Sequence, residues 1–114
     1  MPRHTARRSV CPIACTLDVL GDKWTLLVIR DLMRGVSTFK DFAAAPEKIA
    51  TNILTDRLNK LVDQGLAERI VEHSEARPSY ALTKKGKALR PVIKAVADWG
   101  LKHIDGTEAR LALK

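Results

Sequence analysis

The stretch ARRSVCPIACTLD holds the only two cysteines of the chain, Cys11 and Cys15, one helical turn apart and just after Arg7 and Arg8. A thiol reacts as its thiolate, and nearby positive charge or the free N–H groups of a helix start favour that form. Pro12 suits a first helical position, where its missing N–H costs nothing. Cys11 therefore stands at a helix N-cap beside two arginines, and it reads as a regulatory thiol. Its oxidation could give a sulfenic acid, a mixed disulfide or a bridge to a second subunit. A bridge from Cys11 to Cys15 within one helix fits disulfide geometry poorly. The plainer readings are a structural cap for Cys11 and a small apolar residue in a dimer contact for Cys15. Two thiolates could also share one ion, as a metal sensor would require. Zinc sites usually take four ligands, so the others would come from elsewhere or from a second subunit. His4, His73 and His103 are scattered without metal spacing, and no metal or cofactor is expected.

The elements that must position these groups follow from composition and pattern. The chain has 114 residues, 46% of them hydrophobic, which suffices for one domain with a real core. Twenty lysines and arginines against 13 acids give a net charge of +7, which favours a polyanionic partner. Aromatic residues are only 4%, which disfavours a sugar-binding or base-stacking surface. No apolar run approaches the roughly 20 residues needed to span a membrane, and MPRHTARRSV lacks the apolar core of a signal peptide. The expectation is a cytoplasmic protein with no membrane partner. There is no Gly-rich phosphate loop, no paired carboxylates and no nucleophile with a neighbouring histidine, so an enzyme is not expected.

A basic arm is expected over residues 1–10, a single domain over 11–106 and a loosely ordered tail over 107–114. The first helix runs from Pro12 to about Leu20, and Gly21 stops it. Ile13, Leu17 and Leu20 recur at helical spacing and are taken as its core stripe. Cys11, Cys15 and Val19 fall on nearly the opposite side. KWTLLVIRDLMRG is apolar on two faces, which marks a central, buried helix. Ser37 or Thr38 can cap a short helix with Phe39 and Phe42 inward, closed by Pro46. A fourth helix starts near Ile49 or Ala50 and ends at Gly65. Ile53, Leu54, Leu58, Leu61 and Val62 are its buried face, and Lys48, Asn52, Thr55, Asp56, Asn59 and Asp63 lie opposite. LAERIVE and PSYAL read as a hairpin around a polar turn. Thr83 can cap the last helix, which Pro91 should kink or divide.

This order is mainly α with a small β-hairpin, the layout of a winged helix-turn-helix. In such a fold the second helix of the pair enters the major groove and the wing tip reaches the backbone or the adjacent minor groove. CPIACTLDVLGDKWTLLVIRDLMRG resembles the opening of the HxlR-type winged-helix transcription regulators, which share the MarR-like fold. ILTDRLNKLVDQGLAER is similar to their recognition helix and first wing strand, and YALTKKGKAL with the later Trp99-Gly100 is similar to their wing exit and last helix. The resemblance covers most of the chain. It implies a bacterial, dimeric, DNA-binding regulator, in a family some of whose members sense oxidants or electrophiles through a cysteine of the CP motif. The chain departs from the family pattern at Thr38-Phe39, where an Arg-Phe pair is common. Its wing, HSEARPSY, is shorter than usual and carries Pro78 where a branched apolar residue is common.

The expected function is sequence-specific binding of duplex DNA at an inverted repeat, as a homodimer and in the sense of a repressor. The sequence itself names no operator, regulated gene or small-molecule effector. Asn52, Thr55 and Asn59 are the candidates for base edges, since an Asn amide pairs bidentately with adenine. Lys48, Thr51, His73 and Arg77 complete the DNA-binding set, together with Arg57. Arg57 has two readings: a phosphate contact, or a guanidinium that holds a nearby carboxylate and orients the helix. Asp56 is expected to pair with Lys60 one turn on. The dimer interface is assigned to Val19, Leu89, Val92, Ile93, Val96, Trp99 and Ile104. The remaining alternative is a winged helix that binds protein or RNA, although few aromatic residues disfavour single-stranded RNA.

Overall fold

The computed structural model describes residues 8–71 and 78–108. Arg7 and the rest of the basic arm before Arg8, His73 and Arg77 at the wing tip, and the tail beyond Glu108 lie outside the described residues. Six helices and one hairpin are described: α1 (Pro12–Leu20), α2 (Thr25–Met33), α3 (Phe39–Ala43), α4 (Thr51–Asp63), β1 (Ala67–Ile70), β2 (Ser79–Leu82), α5 (Lys84–Lys87) and α6 (Arg90–His103). None of these helices is long and apolar enough to cross a membrane.

The starts and stops follow local chemistry. Cys11 is the N-cap of α1, and Pro12 opens the helix. Thr38 caps α3 by accepting the Asp41 N–H, and Thr83 caps α5 by accepting the Gly86 N–H. Gly65 follows α4 with a φ of 75°, a left-handed turn that a side chain would resist. It brings the chain back as β1, which pairs antiparallel with β2 in the register Ala67↔Leu82 to Ile70↔Ser79. A bridge from Thr38 to Ser79, with the Tyr80 N–H donated to the Ser37 carbonyl, ties the start of α3 to the hairpin. Pro91 divides the last helical segment: α5 ends at Lys87 and α6 begins at Arg90.

The core lies where α2 and α4 cross under the hairpin. Ile29, Leu54 and Leu58 are fully enclosed, with Phe42, Leu61, Leu66, Tyr80, Leu82 and Ile93 around them. Burying each large aliphatic side chain contributes about 2 kcal/mol, so α4 is held by its inner face. Two expectations are corrected here. Ile13 and Leu17, taken as the core stripe of the first helix, are 71% and 53% exposed. Val19, expected to face away from the core, is partly buried and packs against it beside Leu20. The helix carries two apolar stripes, and Cys15 and Val19 of the smaller one line a hollow bounded by Leu66 and Leu89. Ile93, placed in the dimer interface, is 6% exposed within the single chain, and Leu89 is partly buried against the core.

Candidate nucleic-acid interface

The core grips one face of α4, so its other face is left to solvent. Asn52, Thr55, Asp56, Asn59 and Asp63 are exposed on it, as are Thr51 and Lys48 at its approach. Ala50, the N-cap of α4, supplies no side-chain hydrogen bond, which leaves the first-turn N–H groups without a side-chain cap. The Thr55 hydroxyl donates to the Thr51 carbonyl at 2.9 Å, so toward a base it is left with its acceptor lone pairs. Lys48 takes a left-handed conformation, φ 57°, in the turn between α3 and α4. That geometry is costly for a residue with a side chain, and it is held by its neighbours. Glu47, the preceding residue, accepts two parallel hydrogen bonds from the Arg30 guanidinium of α2, both at 2.9 Å.

Arg30 also donates to Asp31 at 3.0 Å, so one guanidinium bridges two carboxylates. The Arg30 hydrogen bonds hold the Glu47 carboxyl below its usual range. Burial pushes Asp31 the other way, against the pull of Arg30. The turn that leads into α4 is thereby tied to the central helix.

The second anchor of α4 is Arg57. Its Nε donates to Asp22 at 2.7 Å, and its Nη1 is in close contact with Asp56. Asp56 also meets Lys60 at 3.4 Å, the spacing expected from sequence. Asp22 lies in the loop between α1 and α2 and is fixed in its own right. It accepts the Trp24 N–H at 3.0 Å, the Thr25 N–H at 3.2 Å and the Thr25 hydroxyl. Burial raises the Asp22 carboxyl, but the hydrogen bonds from Thr25, Arg57 and Trp24 and the Arg57 charge outweigh it and bring it down to about 2. Asp22, Arg30 and Glu47 were missed in sequence. The signal for Asp22 was present: an acid placed before Lys23-Trp24-Thr25 is a helix-start pattern.

At the start of α1, Cys11 is exposed and Cys15 is half-buried, both as free thiols. The Cys15 thiol donates to the Ser9 carbonyl at 3.2 Å, and the Cys11 N–H donates to the Ser9 hydroxyl at 3.0 Å. Arg8 folds back along the helix, and its guanidinium meets Asp18 at 2.6 Å. Among the described residues, no group of three or more metal-binding side chains forms. Val92, Val96, Trp99, Leu101 and Ile104 on and just after α6 are exposed, as are Val10, Ile13 and Leu17 at the opening of the chain.

A short helix, a turn and a longer helix with a polar outer face, followed by an antiparallel hairpin, define a winged helix-turn-helix protein. The chain belongs to the HxlR-like helix-turn-helix family, which it matches over residues 19–108. It is 34% identical over 96 residues to the HTH-type transcriptional regulator YdeP of Bacillus subtilis, spanning 83% of this chain and 75% of that protein. Among solved structures it is similar to PA1607, with a TM-score of 0.82 and 35% identity, over 95% of this chain and 78% of the other. It is also similar to the redox regulator HypR in its reduced form, with a TM-score of 0.76 and 30% identity, over 83% of this chain and 95% of that one. The protein is thus a transcriptional regulator of the HxlR type, in a family of DNA-binding proteins that are not enzymes.

Proposed function

We propose that this regulator binds duplex DNA at an inverted repeat, as a homodimer, with α4 in the major groove. The observation that carries this reading is the division of α4: an inner face sealed into the core, and an outer face that presents Asn52, Thr55 and Asn59 to solvent. Asn52 and Asn59 read base edges. Lys48 and Thr51 meet phosphate beside the first-turn N–H groups of α4. Arg77 and His73 at the wing tip add a backbone contact. Selecting bound sequences from a random duplex pool tests this. A palindromic consensus is the expected result, and Asn52→Ala should relax preference at one base pair by about 1–3 kcal/mol. No enrichment, or an Asn52→Ala protein with unchanged preference, would show that the docking face is wrong.

The exposed apolar residues of α1 and α6 are the surfaces for the second copy. Cys11, exposed at the start of α1, is the thiol of the proposed redox response, and the likeness to HypR supports that reading. The test is DNA affinity with and without a mild thiol oxidant, for the wild type and Cys11→Ser. An unchanged wild type, or a Cys11→Ser protein that responds as the wild type does, makes Cys11 a structural cap.

A further inference from the structure

Resting on the DNA-binding reading above, we infer that Asp22 and Arg57 are positioning residues for DNA recognition. Their ion pair fixes the rotation of α4 about its own axis, and Arg57 makes no phosphate contact of its own.

Placement is the first argument. At about 100° per residue, Asn59 falls close to Asn52 on the helix surface, whereas Arg57 stands roughly 140° away, on the flank toward the α1–α2 loop. Occupancy is the second. The guanidinium already holds two carboxylates, Asp22 at 2.7 Å through Nε and Asp56 through Nη1. A phosphate would find Nε and Nη1 already engaged and two negative charges beside the remaining N–H groups, which disfavours it there. The third argument is that the anchor is rigid. The Trp24 and Thr25 N–H groups and the Thr25 hydroxyl hold the Asp22 carboxylate against the start of α2, so it cannot follow Arg57 if α4 turns.

Small rotations matter here. Side-chain tips lie about 6 Å from a helix axis, so turning α4 by 20° moves them by about 2 Å. A base-edge hydrogen bond tolerates only a few tenths of an ångström around its usual 2.7–3.2 Å, roughly. The buried leucines of α4 resist large movements, and a small rotation is opposed most directly by a contact far from them on the helix surface. An ion pair on the flank is placed to stop it.

The test compares a duplex that the wild type enriches from a random pool with an unselected duplex of equal length, each titrated over a range of salt. Arg57→Gln and Asp22→Asn should each weaken the enriched duplex by about tenfold and leave the unselected one nearly unchanged, and the double variant should be no worse than either single. The salt slope of Arg57→Gln should equal that of the wild type, and Arg57→Lys should recover part of the selectivity. A purely structural role would instead lower both affinities together. A slope reduced by about 0.9 in Arg57→Gln would mark a phosphate contact and overturn the inference. So would additive losses, or full selectivity in Asp22→Asn, which also decides the matter if Arg57→Gln does not fold by circular dichroism. A wild type that binds no duplex overturns the DNA reading and this inference together. Binding with unaltered selectivity in the variants overturns this one alone.

Discussion

Gly86→Ala should destabilise the fold, although the usual rule for a helical glycine points the other way. Gly86 is buried in α5, and a methyl group built there would stand 2.1 Å from the Leu66 carbonyl oxygen and 2.8 Å from Cδ2 of Leu82. The leucine tip can rotate away. The carbonyl cannot, because it accepts the Thr83 N–H at 3.0 Å, while the Thr83 hydroxyl donates to the Gly65 carbonyl at 2.6 Å. An ordinary carbon–oxygen contact would need about 1 Å more room, so α5 must lift from the end of α4. Overpacking of this kind costs about 1–3 kcal/mol, and a weakened Thr83 hydrogen bond adds about 1. Against that, replacing glycine by alanine in a helix gains at most about 1 kcal/mol. The net is a loss of about 2 kcal/mol, or a Tm lower by about 8 °C for a domain of this size. Urea unfolding followed by circular dichroism measures it. Gly100→Ala is the matched control, since nothing lies within 4 Å of its new methyl group. At a protein concentration low enough to avoid association through α6, it should gain up to about 1 kcal/mol. A Gly86→Ala protein as stable as the wild type would refute the argument that this turn is packed against a fixed carbonyl.

The Asp22 carboxyl, held down at about 2 against an ordinary value near 3.8, makes acid stability its reporter. Its contribution is fully present above about pH 4 and is lost as pH falls through 2. After allowance for its partial exposure it amounts to about 1 kcal/mol, so the stability gap between wild type and Asp22→Asn should close over that window in urea titrations. Lys48→Gly should relieve the left-handed strain and stabilise the fold by about 1 kcal/mol, while its DNA salt slope falls by about 0.9 if Lys48 meets a phosphate. Trp99→Asp and Leu17→Asp place charge on side chains that are 61% and 53% exposed. Each should leave the thermal melt of the single chain within about 0.5 kcal/mol and shift sedimentation from dimer toward monomer. A variant that stays dimeric would remove that face from the proposed interface.

Much of the fold was legible in the sequence because its signals are local. Pro12, Thr38 and Gly65 mark ends by what their own backbones can do, and the two-sided apolar pattern of α2 identified the central helix. The face of α1 was not legible for a corresponding reason. Periodicity shows that Ile13 and Leu17 form one stripe and Cys15 and Val19 another, but both are apolar. Only the packed chain shows that Val19 of the smaller stripe packs against the core while Ile13 and Leu17 stay exposed. The α6 stripe divided in the same way: Ile93 turned inward, while Val92, Val96 and Trp99 stayed out. On α4 the outward set was readable from pattern alone. The partner of Arg57 was not, because Asp22 lies 35 positions earlier and only tertiary structure brings it close.

These placements connect α1 and α4. The proposed sensing thiol sits at the exposed start of α1, and only the last turn of that helix, at Val19 and Leu20, is packed into the core. Asp22 follows two residues after Leu20 and holds the flank of α4 through Arg57. A helix of nine residues is about 14 Å long, so in the proposed dimer a displacement of its exposed end would bear on the loop that anchors α4. The path is short: one helix, Gly21, one capped carboxylate and one ion pair. If the proposed dimer contact shifts DNA affinity through this path, DNA must shift the dimer contact by the same free energy. The surface that would join two copies of the chain and the helix that would read DNA meet at Asp22.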